Sequence, residues 1–382
     1  MKKILLIFGT RPEAIKLAPV YNLLSENKKF KTYVCVTSQH KEMLNEVIKI
    51  FNIKVNFNLN IMRKNQDITY ITVKVLNKLN HLFKRLKPDL VLVHGDTTTT
   101  ISSSLSCFYN NIKVAHIEAG LRSFNLKEPF PEELNRKVTS ILSDLHFSPT
   151  KGNKLNLIKE GVQKKNILVT GNTVIDSIKY LDQKFKNNLK FQNTNIKNLN
   201  KILNFNILLS KYILLTCHRR ENFGAPLDSI CGAIKDLAIK YKNFYFVYPM
   251  HLNPNIIKKV SNKLSNIDNI ILIRPQNYIN FFLIMKYCHF IITDSGGLQE
   301  EAPSLNKPLL VIRNVTERQE ILTNGNAILV GTKKKNIVLN SSKLIEDKKL
   351  YKKMSSKKNP YGDGNASQKI IKKIEKFLSH EN

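Results

Sequence analysis

The chain has 382 residues, enough for two domains of ordinary size with a sizeable core in each. Its hydrophobic fraction of 42% is that of a globular protein, and no window holds the roughly 18 continuous apolar residues of a membrane span. With 61 basic residues against 29 acidic ones the formal net charge is +32, which raises a nucleic-acid reading. The lysines are spread through Asn/Ile/Lys-rich stretches such as 184–201 and 333–353, with no single arm interleaved with aromatics. That distribution favours compositional drift over a nucleic-acid surface, although the field would help gather an anionic substrate.

The opening MKKILLIFGTRPEA has an apolar run only from 4 to 8, shorter than the about 7–15 residues of a signal-peptide core. It reads as a first β-strand, and a cytoplasmic protein is expected. KILLIFG (3–9) is followed by a helix from Pro12, and YVCVTS (33–38) by a helix through Met43 to Phe51. DLVLVHGD (89–96) leads into a helix over 99–109, and KVAHIEAG (113–120) comes next. Continuous apolar strands alternating with helices predict a parallel sheet covered on both faces. The pattern restarts at YILLTCHRREN (212–222) and runs through FYFVYPMH (244–251), NIILIRP (269–275), FIITDSGG (290–297) and PLLVIRN (308–314). The expected fold is therefore α/β with two Rossmann-like domains, and the polar stretch 184–210 reads as a surface excursion near their boundary.

A doubly wound sheet concentrates function at the C-terminal ends of its strands. The notable polar residues stand there: Gly9-Thr10-Arg11, Gly95-Asp96-Thr97, 116–122, 218–221 and 294–297. TDSGGLQEEAPS (293–304) follows a strand and starts a helix, so Ser295, Gly296 and Gly297 can bring bare N–H groups against a phosphate. Glu300 and Glu301, one turn in, suit a ribose diol. The bland alternative is a tight turn with serine as N-cap. GTRPEAIKLAP (9–19) is a second such turn, with Pro12 in the first helical turn and Arg11 and Lys16 within reach of a diphosphate. Neither G-x-G-x-x-G nor a P-loop occurs, which argues against a dinucleotide coenzyme and against a P-loop NTPase.

VHGDTTTT (93–100), HIEAGLRS (116–123) and PFPEELNR (129–136) supply three acids, Asp96, Glu118 and Glu132. Any one alone reads as a cap or an ion pair; three at successive loops suggest acid–base work, with HRRE (218–221) arriving from the other domain. His94, His116, His146 and His289 lie in apolar strand contexts and read as structural. No H-x-x-x-H spacing occurs, and the five cysteines are odd in number and lack C-x-x-C spacing, so no metal site and no disulfide framework is expected. No Asp-x-Asp is present to hold the magnesium of a metal-dependent sugar transferase.

These motifs, with GNTVIDS, YPMHLNPN, TER and NPYGDG (359–364), closely resemble the bacterial non-hydrolysing UDP-N-acetylglucosamine 2-epimerases over nearly the whole chain. The resemblance implies a GT-B type fold with the active site in the interdomain cleft, a homodimer, and interconversion of UDP-GlcNAc and UDP-ManNAc. No cofactor, no nucleic acid and no membrane is implied as a partner, and the product would supply cell-surface polysaccharide. The chemistry implied is elimination of UDP across C1–C2 to 2-acetamidoglucal and re-addition after reprotonation on the other face. By resemblance Asp96, Glu118 and Glu132 are the acid–base carboxylates and His218 assists at the leaving diphosphate or the sugar. Arg11, Lys16, Ser295, Gly296, Gly297 and Arg318 hold phosphate, Glu301 holds ribose, and Arg274, Gln276 and Tyr278 line uracil. Gln39, Gln66, Arg220 and His251 match positions where some members hold a second UDP-GlcNAc as activator. The implied domains are 1–171 for the sugar side and 172–364 for UDP, with a C-terminal helix in 365–382 crossing back to the first. The chain departs from the family at Gln319, where a proline is common, and at Cys217, where a glycine is common; neither removes a chemical group. A GT-B sugar transferase and a hydrolysing UDP-GlcNAc 2-epimerase are the enzymatic alternatives.

Overall fold

The computed structural model describes residues 1–38, 41–63, 66–250 and 253–379. The chain forms two compact units, one of 1–180 with 361–379 and one of 181–360. Among the described residues the first unit carries a seven-stranded parallel sheet: β1 (Lys2–Phe8), β2 (Phe30–Val36), β3 (Phe57–Asn58), β4 (Leu90–His94), β5 (Lys113–Ile117), β6 (Leu145–Ser148) and β7 (Ile167–Val169). Its order is β3-β2-β1-β4-β5-β6-β7. The second unit has six parallel strands: β8 (Tyr212–Thr216), β9 (Tyr245–Pro249), β10 (Ile270–Ile273), β11 (Ile291–Thr293), β12 (Leu309–Val311) and β13 (Ala327–Leu329). They run in the order β10-β9-β8-β11-β12-β13.

The central strands are apolar throughout because helices cover both faces. Ile4 to Phe8 of β1 and Ile213 to Leu215 of β8 are at most 1% exposed. In each unit the first strand is flanked by the second and by the strand that follows the reversal of winding. Ile4 lies in register with Thr32 on one side and Leu90 on the other, and Leu214 with Val247 and Ile291. The crevice of a doubly wound sheet opens at such a reversal, beyond the strand ends. The points of interest are therefore the loops after β1 and β4 in one unit and after β8 and β11 in the other.

Two differences from the sequence reading concern secondary structure. The polar stretch beyond 184, read as a surface excursion with no element assigned, is helical: helix Leu189–Leu203 occupies it, capped by the Asn188 side chain on Phe191 N at 2.9 Å. Ile196, Leu199 and Leu203, spaced three and four apart, are its buried stripe, hidden in the sequence among Asn and Lys. β3, β6, β7 and β13 were also not anticipated, since they are two to four residues long and too short for a periodic signal.

Helix Ala366–Ser379 belongs to the first unit and buries Ile370, Ile371, Ile374 and Leu378. Asp176 caps it by accepting Ser367 N at 2.8 Å and Ala366 N at 3.3 Å. Gly171, at φ +92°, lets Tyr361 O approach to 3.0 Å from where a Cβ would stand. Among the described residues no helix is long and apolar enough to cross a membrane.

Candidate active site

In the first unit, helix Arg11–Glu26 starts directly after β1, with Thr10 as N-cap and Pro12 in its first turn. Glu13, only 2% exposed, reaches back with Oε2 to accept Gly9 N at 3.0 Å, Thr10 N at 2.8 Å and Thr10 Oγ1 at 2.8 Å. Its Oε1 accepts the Thr97 hydroxyl at 2.8 Å and the Thr100 hydroxyl at 3.3 Å. One buried carboxylate thus clamps the loop that carries Arg11 to the loop that carries Asp96.

Glu118 follows β5 in a left-handed conformation, φ +65°, a strain of about 1–2 kcal/mol for a residue with a Cβ. Its side chain is 14% exposed, and Oε1 lies 3.9 Å from where a Cβ on Gly95 would stand. Lys16 Nζ donates to Oε2, and Asn172 Nδ2 donates to the same oxygen at 2.7 Å. His94 Nε2 stands 3.7 Å away, beyond hydrogen-bond range. Burial pushes the Glu118 pKa up, but the Lys16 ammonium, with His94, overrides it and holds the carboxyl well below its usual range. Glu118 is accordingly ionised at neutral pH. Behind it, burial pushes His116 down to about 3, so its neutral ring donates from Nε2 to Gly95 O across 2.7 Å.

Asp96 Oδ2 accepts Arg136 Nε at 2.8 Å and Nη2 at 2.7 Å, and Asp96 O accepts Asn135 Nδ2 at 2.8 Å. The other arm of Arg136 donates to Glu133 Oε2 at 3.0 Å. Glu133 is fully buried and also accepts Ser123 N at 3.0 Å and Phe124 N at 3.1 Å, tying the loop after β5 to the Asp96 anchor. Burial would lower the Arg136 pKa; Asp96 and Glu133 raise it instead. Glu132 stands four residues before Arg136 on the same helix face, and its Oε2 is shielded from solvent with no hydrogen-bond partner among the described residues.

In the second unit Asp294, 0% exposed, closes β11. Its Oδ2 accepts His218 N, Arg219 N and Asn222 Nδ2, each at 2.9 Å, and its Oδ1 lies 3.1 Å from His218 Nδ1. Burial would raise this carboxyl, but His218 and the N–H groups bring it down to about 2. A fixed charge therefore sets the orientation of an imidazole that is 43% exposed. Next in the chain, Ser295 caps the six-residue helix Gly296–Glu301. A Cβ on Gly296 would come within 2.6 Å of Arg318 Nη1, so the guanidinium occupies the space a side chain would need. Arg318 donates from Nε to Glu300 Oε1 at 2.9 Å and also pairs with Glu317. Arg313 reaches Glu317 Oε2 and Glu221 Oε1, both at 2.8 Å, and Arg219 Nη2 is 3.6 Å from Glu317. Glu317 is pushed up by burial yet held at about 2 by these arginines.

The sequence-derived residues fall as follows. Asp96, Glu118, Glu132, Arg11 and Lys16 cluster at the strand ends of the first unit. His218, Ser295, Gly296, Gly297, Glu301 and Arg318 do so in the second, where Glu301 Oε1 lies 3.6 Å from where a Cβ on Gly297 would stand. Glu300 does not suit a ribose diol, because Arg318 takes its carboxylate. Arg274 and Gln276 lie between β10 and helix Tyr278–Tyr287, which Tyr278 opens, and Gln276 Nε2 donates to Arg274 O at 2.8 Å. Gln66, in the segment between β3 and helix Ile68–Leu86, accepts Arg63 N on Oε1 at 3.3 Å. Gln39 and His251 lie outside the described residues, as does the side chain of Arg220. Sequence reasoning missed Glu13, Glu133, Arg136 and Asn172, of which only Glu13 left a signal, its place three residues after a cap; His94, read as structural, stands 3.7 Å from Glu118.

Comparison with known proteins identifies the family. The family profile of UDP-N-acetylglucosamine 2-epimerases matches residues 22–375. A UDP-N-acetylglucosamine 2-epimerase of Campylobacter jejuni is 49% identical over 100% of this chain and 99% of its own length. The crystal structure of a Neisseria meningitidis UDP-GlcNAc 2-epimerase bound to UDP-GlcNAc superimposes with a TM-score of 0.90 at 47% identity, covering 98% of this chain and 100% of that one. The S. aureus MnaA–UDP structure gives 0.86 at 44% identity, over 99% and 97%. With matches of this length and identity, the chain belongs to the UDP-N-acetylglucosamine 2-epimerase family.

Proposed function

We propose that the protein interconverts UDP-GlcNAc and UDP-ManNAc by the non-hydrolysing route, with UDP held throughout. Family membership supports the reaction. The observation that carries the mechanism is the set of acids at the strand ends of the first unit, where Lys16 keeps Glu118 ionised, Asn172 donates to it and Arg136 fixes Asp96.

C2 of the sugar bears no carbonyl, so its proton is not acidic enough for simple exchange. Elimination avoids the difficulty: a carboxylate takes the C2 proton, the C1–O bond breaks, and its electron pair leaves with UDP, giving 2-acetamidoglucal. A proton then returns to C2 from the opposite face as a UDP oxygen adds to C1, which restores the atom balance. Asp96, Glu118 and Glu132 share these transfers, and the unpartnered Oε2 of Glu132 is available to a substrate group. His218, oriented by Asp294, assists where negative charge grows on the leaving diphosphate. Arg11, Ser295, Gly296 and Gly297 receive the diphosphate, Glu301 the ribose diol, and Arg274, Gln276 and Tyr278 the base. Gln39, Gln66, Arg220 and His251 are assigned to a second, activating UDP-GlcNAc. A homodimer is supported by the exposed apolar side chains Phe108, Tyr109 and Ile141 on two helices that pack together, Ile141 being 82% exposed.

Incubation with UDP-GlcNAc in D₂O tests the route. UDP-ManNAc carrying deuterium at C2 is the expected product. Unlabelled UDP-ManNAc would remove the elimination step, and release of free ManNAc with UDP would assign the hydrolysing reaction instead.

A further inference from the structure

The strongest concentration of charge lies far along the chain from any proposed catalytic group. Residues 333–358 contain ten lysines and no arginine, against Glu346 and Asp347 as the only acids, a net +8 of the chain's +32. All ten lysines are exposed. Only Lys334 has an ion-pair partner among the described residues, Asp236 at 2.8 Å. Some cations elsewhere are matched, Lys259 and Lys263 by Asp228 and Lys186 and Lys286 by Asp182, while others such as Lys151 and Lys159 have no ion pair among the described residues. Drift in composition accounts for scattered lysines but not for ten within 26 residues that hold two acids.

Helix Lys348–Ser355 sets the geometry. Lys348, Lys349, Lys352 and Lys353 recur at one helical turn and form an outward double row. The opposite side is fixed: Met354 is 4% exposed in the core of the second unit, and Leu350 packs against that core. Tyr351 stacks on the His289 ring at 4.3 Å and 4° and donates to His289 O at 2.9 Å. His289 stands just before β11, whereas Asp294 and the glycine turn stand just after it. The lysine face is therefore anchored at the opposite end of the sheet from the nucleotide loops and is not placed to receive substrate.

We propose that this face docks the protein on an anionic phospholipid surface. Lysine without arginine forks, and with its one interleaved aromatic, Tyr351, turned onto His289, is poorly suited to reading nucleic acid. Protein interfaces enrich arginine and aromatics and deplete lysine. Clustered lysines on a rigid helix match instead a surface of diffuse phosphate charge. Such a face lies on a bilayer without entering it and needs no membrane-spanning helix.

The test is co-sedimentation of the full-length protein with vesicles of phosphatidylglycerol mixed with phosphatidylcholine, and with pure phosphatidylcholine. Binding is expected only to the anionic vesicles and is lost as salt rises from about 0.05 M to 0.5 M. Lys348→Gln, Lys349→Gln, Lys352→Gln and Lys353→Gln together should weaken it by on the order of a thousandfold while leaving epimerisation unchanged. A second variant removes the same charge elsewhere, at the exposed Lys151, Lys159, Lys164 and Lys165, and should bind almost as the parent does. Equal losses in both variants would assign the effect to bulk charge and overturn the proposal. Absence of binding to anionic vesicles at low salt, or displacement from them by duplex DNA at lower concentration, would overturn it as well.

Discussion

The two sheets reverse their winding in the same way and carry polar loops at the same strand ends, yet the loops use charge in opposite senses. In the first unit cations serve acids: Lys16 keeps Glu118 ionised, and Arg136 fixes Asp96. In the second, acids serve other groups: Asp294 orients His218, while Glu300, Glu317 and Glu221 hold Arg318 and Arg313. One topology thus carries acids held by cations in one unit and cations and an imidazole held by acids in the other, because it specifies where loops converge and leaves the side chains to decide what they do.

That contrast is most directly broken at Asp96. Asp96→Asn keeps an oxygen for Arg136, so folding and UDP affinity should persist while turnover falls by about 10²–10⁴-fold. Calorimetric titration with UDP beside an epimerisation assay checks both halves, and full turnover would remove Asp96 from the catalytic set. A sharper comparison comes from Lys16→Met. Burial raises the Glu118 pKa and Lys16 lowers it, so without the ammonium the pKa rises. The acidic limb of the kcat profile should then move to higher pH. A raised KM with an unmoved profile would return Lys16 to diphosphate binding alone. The smallest effect is expected in the second unit. Gly296→Ala puts a methyl group 2.6 Å from Arg318 Nη1, and overpacking of this kind costs about 1–3 kcal/mol. UDP should bind roughly tenfold more weakly with kcat little changed; an unaltered Kd would mean that the guanidinium yields.

Much of this was legible in the residues. Apolar runs bounded by Gly9, Gly95 and Gly296 announced parallel strands ending in functional loops, because burial on both faces leaves only their ends for polar work. Helix Leu189–Leu203 was not legible, since three buried aliphatics among asparagines and lysines give a weak stripe until a core is present to bury them. The pairings were not legible either. Lys16 and Glu118 are 102 residues apart, and Asp96 and Arg136 are 40 apart, separations at which no spacing rule connects two side chains.

The sequence by itself determined the alternation of strand and helix, the placement of acids and glycines after strands, and the family. These are local matters of periodicity and backbone freedom. The tertiary structure alone decided that Glu118 is ionised, that Glu300 is taken by Arg318, that Glu13 clamps two loops, and that all but Lys334 of the lysines of 333–358 face solvent without an ion-pair partner among the described residues. Each depends on which charges come within a few ångströms after folding, and electrostatic and desolvation terms are set by that proximity rather than by order along the chain.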